Sequence, residues 1–164
     1  MKIHRMSYNL YSRSIDISCF GCNPPYCEGC FNPELLCFNS SADEIAPQHV
    51  DDTLLEVFRD EAKYYTSYVE RYIRYVFLIG GSWTHQKDYE LYIPAIERLC
   101  RTYRKSLVLF AREELDEIPQ YFKDHCNMIK TGKFDKELLV TNYYSNGINL
   151  ATSNQKVNLK GEDY

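Results

Sequence analysis

The sequence predicts an α/β fold built on a parallel sheet. Short apolar runs of strand type alternate along the chain with longer segments whose apolar residues recur every three or four positions. This alternation is typical of parallel strands joined by helical crossovers. A length of 164 residues suits one hydrophobic core, so we predict a single domain over residues 1–164.

Four segments have the pattern of strands. Residues 14–18 alternate polar and apolar side chains, which predicts a short strand with one apolar face. Residues 75–79 and 106–110 are apolar runs that predict buried strands, and residues 126–130 predict a fourth. The chain from residue 131 onward is polar and is predicted to be rich in loops.

Three segments have the pattern of helices. Residues 51–65, 88–104 and 113–124 carry apolar stripes or helix-forming runs between the predicted strands. Pro94 is expected in the first turn of its helix or at a kink, because proline lacks the backbone N–H that a helix interior needs. Residues 39–50 are polar and predict a connection.

The predicted topology brings four loops to one edge of the sheet. A cysteine-rich loop follows the first strand, and Gly80–Gly81 follows the second. Ala111–Arg112 follows the third strand and Gly132 follows the fourth. In open α/β sheets ligands bind at the carboxyl ends of the strands, so this edge is the predicted site.

Composition narrows the classes of partner. The net charge is -4 and the isoelectric point is near 5.6, which gives no strong basic field for nucleic acid. No apolar run approaches the length of a membrane span, and residues 1–18 lack the apolar core of a secretory signal. We therefore predict a cytoplasmic protein that binds neither a membrane nor nucleic acid.

Four of the seven cysteines lie within twelve positions, at Cys19, Cys22, Cys27 and Cys30. A zinc site with four thiolates is one interpretation, although structural zinc sites usually separate their two cysteine pairs by a dozen residues or more. Free thiols in an ordinary loop are a second interpretation. An iron–sulfur site using Cys22, Cys27 and Cys30 is the third, with Cys19 as a spectator at the strand end.

Five segments resemble one family in order and spacing. They are GCNPPYCEGCFNPELL (21–36), FLIGGSWTHQKDYELYIPAIERL (77–99), SLVLFAREELDEI (106–118), CNMIKTGKFDKEL (126–138) and NLATSNQ (149–155). Together they are similar to the radical S-adenosylmethionine activating proteins of anaerobic ribonucleoside-triphosphate reductase. The resemblance covers nearly the whole chain.

The resemblance implies an open, incomplete parallel (βα) barrel and a radical enzyme. It implies a 4Fe–4S cluster and S-adenosylmethionine as cofactors. The deoxyadenosyl radical formed from them removes a hydrogen atom from a glycine, so no side chain is implied as a catalytic residue. The implied partners are the large subunit of anaerobic ribonucleotide reductase and a flavodoxin-type electron donor. The implied cluster ligands are Cys22, Cys27 and Cys30, and the implied cofactor-binding residues are Phe31, Asn32, Gly80, Gly81 and Ser82.

The sequence departs from the family pattern at several of these positions. The cysteine spacing is x4 then x2, where the family has x3 then x2. Ser82 stands where an acidic residue usually follows Gly-Gly, and Thr131 stands where Asp precedes Gly132. Two alternatives therefore remain open: a radical enzyme with another small-molecule or peptide substrate, and a non-catalytic relic of the fold that acts as a binding or inhibitory protein.

Overall fold

The computed structural model describes residues 3–38 and 72–164, together with residues 49, 52 and 56. The helix predicted over residues 51–65 lies outside the described residues, apart from Asp52 and Glu56, which are helical. The predicted connection over residues 39–50 also lies outside them, apart from His49.

The described chain contains eight strands and two α-helices. The strands are β1 (Ile3–Asn9), β2 (Ser14–Cys19), β3 (Tyr75–Gly80), β4 (Ser106–Phe110), β5 (Met128–Thr131), β6 (Leu139–Ser145), β7 (Ile148–Thr152) and β8 (Lys156–Leu159). The helices are α1 (Ile93–Thr102) and α2 (Gln120–His125).

Six strands form one open, mostly parallel sheet in the order β1-β2-β3-β4-β5-β8. The four central strands β2, β3, β4 and β5 are parallel, while β1 and β8 run antiparallel at the two edges. The edge strands do not pair with each other, so no barrel is closed. The predicted α/β class and all four predicted parallel strands are confirmed.

The two faces of the sheet bury different residues. Alternate residues of the parallel strands, such as Ile17, Leu78 and Leu109, are fully buried in a core that includes residues of both helices. The opposite face carries a smaller core formed with β7 and β8, around Phe77 and Val108. This period of two follows from the pleat, which points successive side chains to opposite faces.

The prediction of a loop-rich chain after residue 131 is wrong, because β6, β7 and β8 lie there. β6 and β7 form a separate two-stranded hairpin. Asn146 and Gly147 join them with φ of 49° and 79°, as a tight turn between twisted strands requires. The Asn-Gly pair between segments rich in Val, Ile and Tyr was the available signal. Strand β1 was also not predicted.

Both described helices are shorter than predicted. In the predicted segment 88–104 the α-helix covers only Ile93–Thr102, with Pro94 in its first turn as expected and a separate 3-10 turn at Tyr89–Leu91. In the segment 113–124 a 3-10 turn is followed by Pro119, and α2 begins after it. Proline cannot continue a preceding helix, which explains the break. None of the described helices has the length and apolar character needed to cross a membrane.

Candidate functional site

Four loops meet at the carboxyl ends of the parallel strands, as the topology predicted. Gly81 N–H donates to the Cys19 carbonyl over 2.8 Å, and Ser82 N–H donates to the Gly21 carbonyl over 2.7 Å. On the other side Gly132 N–H donates to the Glu113 carbonyl over 3.3 Å. The loops that follow neighbouring strands are therefore joined by their own backbones.

These loops enclose a cavity of about 260 Å³. All eight residues predicted as ligands or cofactor contacts line it: Cys22, Cys27, Cys30, Phe31, Asn32, Gly80, Gly81 and Ser82. Its remaining walls include Phe110, Lys130, Phe134 and the β7 residues Asn149, Leu150 and Ala151. The predicted residues come from two separate stretches of sequence, and the fold brings them to one place.

The glycines after β3 have a structural explanation of their own. A Cβ on Gly81 would lie 2.3 Å from the Gly21 carbonyl oxygen, and a Cβ on Gly80 would lie 2.9 Å from Cys19 backbone atoms. Gly80 also has a φ of +99°, a conformation that side chains disfavour. The turn packs directly on the start of the cysteine loop, which requires glycine whether or not a cofactor binds.

The cysteine loop is held at both ends. Gly21 N–H donates to the Leu35 carbonyl over 2.7 Å, and Cys22 N–H donates to the Leu36 carbonyl over 3.1 Å. Cys22 is buried, and Cys27 and Cys30 are half-buried. The Phe31 ring, which is exposed, lies 4.7 Å from the Phe134 ring.

Cys19 lies on the other side of the sheet. Its side chain is fully buried in the core that contains the helices and does not line the cavity. Burial raises the pKa of its thiol far above the ordinary value. Cys19 thus does not line the cavity with the other three thiols, and its role as a spectator stays a prediction.

The three cavity thiols have the donor chemistry of a cluster site but are not gathered into one. Burial raises the pKa of Cys22, the Arg112 guanidinium lowers it, and the thiols of Cys27 and Cys30 raise it further. Across residues 3–38 and 72–164 and the three single described positions, no group of three His, Cys, Asp or Glu residues is placed to hold a metal ion. A cluster would require the loop to bring its sulfur atoms closer together.

A network that sequence reasoning missed ties the cysteine loop to the neighbouring loops. The Asn23 N–H donates to His85 Nδ1 over 2.9 Å, and His85 Nε2 lies 2.8 Å from Glu113 Oε1. Glu113 pairs with Arg112, and Arg112 Nη1 donates to the Pro25 carbonyl. His85 was not among the predicted site residues. Its partners are distant in sequence, so no local pattern indicated this role.

Lys130 places a buried positive charge beside the cavity. Its Nζ donates to the Gly132 carbonyl over 2.7 Å and to the Ala111 carbonyl over 3.3 Å. Burial lowers its pKa to about 8, while nearby Cys27 and Glu113 act in the opposite direction. A lysine near the end of a buried strand was the signal that the sequence offered for this charge.

The last predicted segments order the far wall of the cavity. Gln155 accepts from the Ala151 N–H over 3.2 Å and donates to the Gly132 carbonyl over 3.4 Å. Asn154 donates to the Lys133 carbonyl over 2.8 Å. Asn154 and Gln155, in the segment 149–155 that resembles the family, therefore order this wall.

Comparison with known proteins found no matching family model, no matching curated protein and no matching solved structure. The function therefore has to be argued from the residues of the cavity.

Proposed function

We propose that this chain is a radical S-adenosylmethionine enzyme whose cofactors occupy the cavity at the carboxyl ends of the parallel strands. One observation carries the proposal: Cys22, Cys27 and Cys30 line the same cavity as the five residues expected to contact the cofactor. The open barrel of the family is part of this proposal. So is the glycine of the reductase large subunit as substrate, with a flavodoxin-type protein as electron donor.

Cys22, Cys27 and Cys30 would hold the cluster. Three thiolates on a 4Fe–4S cluster leave one iron without a protein ligand. When bound together, the cluster and S-adenosylmethionine supply a 5′-deoxyadenosyl radical that can remove a hydrogen atom from a substrate. The role of the loop is to present three sulfur atoms on one wall while Leu35 and Leu36 hold its ends.

The other cavity residues suit the parts of S-adenosylmethionine. Lys130 and Arg112 both line the cavity and provide positive charge for a carboxylate. Phe31 and Phe134 form an aromatic pair at the edge of the cavity that can contact a planar base. The half-buried backbone of Gly80 and Gly81 and the hydroxyl of Ser82, which is hydrogen-bonded to Thr84, complete a polar wall for an amino group.

The test uses anaerobically purified chain reconstituted with iron and sulfide. We expect about four irons per chain, and 5′-deoxyadenosine once dithionite and S-adenosylmethionine are added. Replacing Cys22, Cys27 or Cys30 with Ala should abolish both. Cys37→Ala is the matched control, because Cys37 is exposed and does not line the cavity. Bound zinc, or a folded protein without metal and without cleavage, would reject the enzyme.

A non-catalytic binding protein is the second candidate. It is favoured by the packing of Gly81 on Gly21, which accounts for the Gly-Gly turn without a cofactor. The extra residue between Cys22 and Cys27 points the same way. A relic of this kind would keep its partner when Cys22, Cys27 and Cys30 are all replaced, whereas an enzyme would lose all function.

A further inference from the structure

A second cavity lies on the same face of the sheet, toward the amino ends of the strands. It has a volume of about 530 Å³, which is within the usual range for sites that bind small molecules. Asn32, Ile79, Phe110 and Asn149 line both cavities. The second cavity therefore continues from the proposed cofactor site along the strands.

The floor of this second cavity is aromatic. Tyr75 and Phe77 are stacked with ring centroids 5.6 Å apart, and Phe110 lies 4.7 Å from Phe77. All three rings line the cavity. Aromatic faces of this kind favour a planar aromatic ligand, because stacked or tilted ring pairs contribute binding free energy beyond that of burying their apolar area.

The hairpin of β6 and β7 closes the cavity from the other side. Tyr144, Gly147, Ile148 and Asn149 line it. Asn149 Nδ2 donates to the Tyr11 hydroxyl over 3.4 Å, which joins the hairpin to the turn between β1 and β2. The space between sheet and hairpin is therefore bounded on both sides.

Asp16 places a carboxylate in the wall of this cavity. Ser14 Oγ donates to its Oδ1 over 2.5 Å, and Asn9 Nδ2 donates to its Oδ2 over 3.4 Å. Both partners are neutral, and Asp16 forms no salt bridge within the described part of the chain. Burial raises the pKa of Asp16, while these two hydrogen bonds lower it. A carboxylate withdrawn from water in this way gains most from a cationic donor.

Two arginines line the same cavity at its far end. Arg13 and Arg74 lie just before the first residues of β2 and β3. The Arg13 guanidinium is 4.6 Å from the centre of the Tyr72 ring. The cavity therefore has a carboxylate on its strand wall and positive charge at its amino end.

We propose that this second cavity binds a planar aromatic ligand with two charged ends. An amidine, guanidine or similar nitrogen group of the ligand pairs with Asp16, and an anionic substituent lies toward Arg13 and Arg74. This ligand would be the substrate of the proposed radical enzyme, and that identification alone rests on the proposed function. The binding itself depends on neither a cluster nor S-adenosylmethionine.

The test is calorimetric titration of the purified full chain, without a cluster, with 4-amidinobenzoate. We expect saturable binding that is at least tenfold tighter than that of benzoate, which lacks the group for Asp16. Benzamidine, which lacks the anionic end, should bind with intermediate affinity. Asp16→Asn should weaken 4-amidinobenzoate at least tenfold, because it removes the charge but keeps the size of the side chain. Asp116→Asn, at an exposed carboxylate away from the cavity, should bind as the wild type does.

A second variant keeps the test decisive if Asp16→Asn does not fold. Asn149 is exposed and lines the cavity, so Asn149→Trp should obstruct the cavity and weaken binding at least tenfold. The inference is overturned if the wild type does not bind 4-amidinobenzoate or binds benzoate equally well. It is also overturned if every folded cavity variant binds like the wild type.

Two further measurements test the aromatic character of the ligand and separate this inference from the proposed function. Tighter binding of Nα-acetylarginine amide than of benzamidine would overturn the aromatic ligand, because arginine carries the nitrogen group without a ring; the reverse would support it. Formation of 5′-deoxyadenosine tests the proposed function independently of this cavity. A chain that binds 4-amidinobenzoate through Asp16 but does not cleave S-adenosylmethionine would support this inference and reject the radical enzyme.

Discussion

The two faces of the sheet differ in what they bury. The helix side buries the larger hydrophobic cluster, including Leu78, Leu107 and Leu109, which have no exposed surface. The opposite side buries five hydrophobic residues beside two cavities, and it also carries Lys130 and Asp16. Because the helix-side core stabilises the fold, the opposite face can carry polar and charged groups that contribute less to stability. We infer that the helix side supplies stability and the cavity side supplies the site.

The largest expected effect is on the free energy of unfolding, when a leucine is replaced by alanine on each face of the sheet. Leu109→Ala removes a fully buried side chain from the helix-side core and should lower the free energy of unfolding by about 3–5 kcal/mol. Leu150→Ala, on the cavity side, should cost about 2–3 kcal/mol, because Leu150 already borders empty space and loses fewer contacts. Urea denaturation measures both. An equal or larger loss for Leu150→Ala would contradict the comparison.

The next effect tests how tightly the loops are packed at the cavity. Gly81→Ala should lower the free energy of unfolding by about 2–3 kcal/mol, because its Cβ would meet the Gly21 carbonyl oxygen at 2.3 Å. Gly161→Ala is the control: its φ is +84° but nothing lies within 4 Å of the added atom. That substitution should cost only about 1 kcal/mol. Thermal unfolding measures both losses of stability. If the two variants lose equal stability, the contact between residue 81 and Gly21 does not determine the cost of the added Cβ.

A pH dependence tests the buried charge on the cavity side. Burial lowers the pKa of Lys130 from 10.5 in the unfolded chain to about 8 in the folded protein. Between these values the unfolded chain binds more protons, so Lys130 makes the folded state more stable as pH rises from 8 to 10.5. That gain is lost as pH falls through 8.

The measurement is urea denaturation of the wild type and Lys130→Met at pH 7, 8, 9 and 10. The wild type should become more stable relative to Lys130→Met as pH rises, since the variant has no ammonium to bury. Taking the difference between the two proteins cancels the other groups that titrate in this range. A difference that does not change with pH would mean that the lysine is solvated.

The smallest effect concerns the network around the cysteine loop. His85→Ala should speed hydrogen exchange at the Asn23 N–H roughly five- to tenfold, because the amide loses its acceptor at 2.9 Å. His125→Ala is the matched control, since His125 pairs with Glu97 on α1, away from the loop. Exchange measured by mass spectrometry over residues 22–30 should change only in the first variant. Equal exchange in both would show that the loop is held by its backbone bonds alone.

Much of the fold could be predicted because its signals are local. The parallel strands are apolar runs, and period and length are enough to identify them. That the cysteine loop and the Gly80–Gly81 turn meet at one edge could be predicted, because the carboxyl ends of parallel strands lie together. The choice of the eight cavity residues came from the family resemblance. The hairpin of β6 and β7 carried a local signal as well, in Asn146-Gly147, which was not used.

The remaining parts depend on contacts between distant residues. His85 lies 62 residues from Asn23, and Asp16 reaches its cavity only after β3 and the hairpin are in place. Whether Cys22, Cys27 and Cys30 converge on a cluster also depends on how the loop between them folds. The x4 spacing shows that a residue has been added between Cys22 and Cys27, but it does not give the resulting distances between sulfur atoms.

The most direct test of the central claim is electron paramagnetic resonance of the reconstituted, dithionite-reduced protein before and after S-adenosylmethionine is added. The account predicts the signal of a reduced 4Fe–4S cluster that changes when S-adenosylmethionine is added, and that is absent from the Cys22→Ala, Cys27→Ala and Cys30→Ala variants. A protein that folds but gives no cluster signal, or a cluster signal that S-adenosylmethionine does not alter, would contradict it.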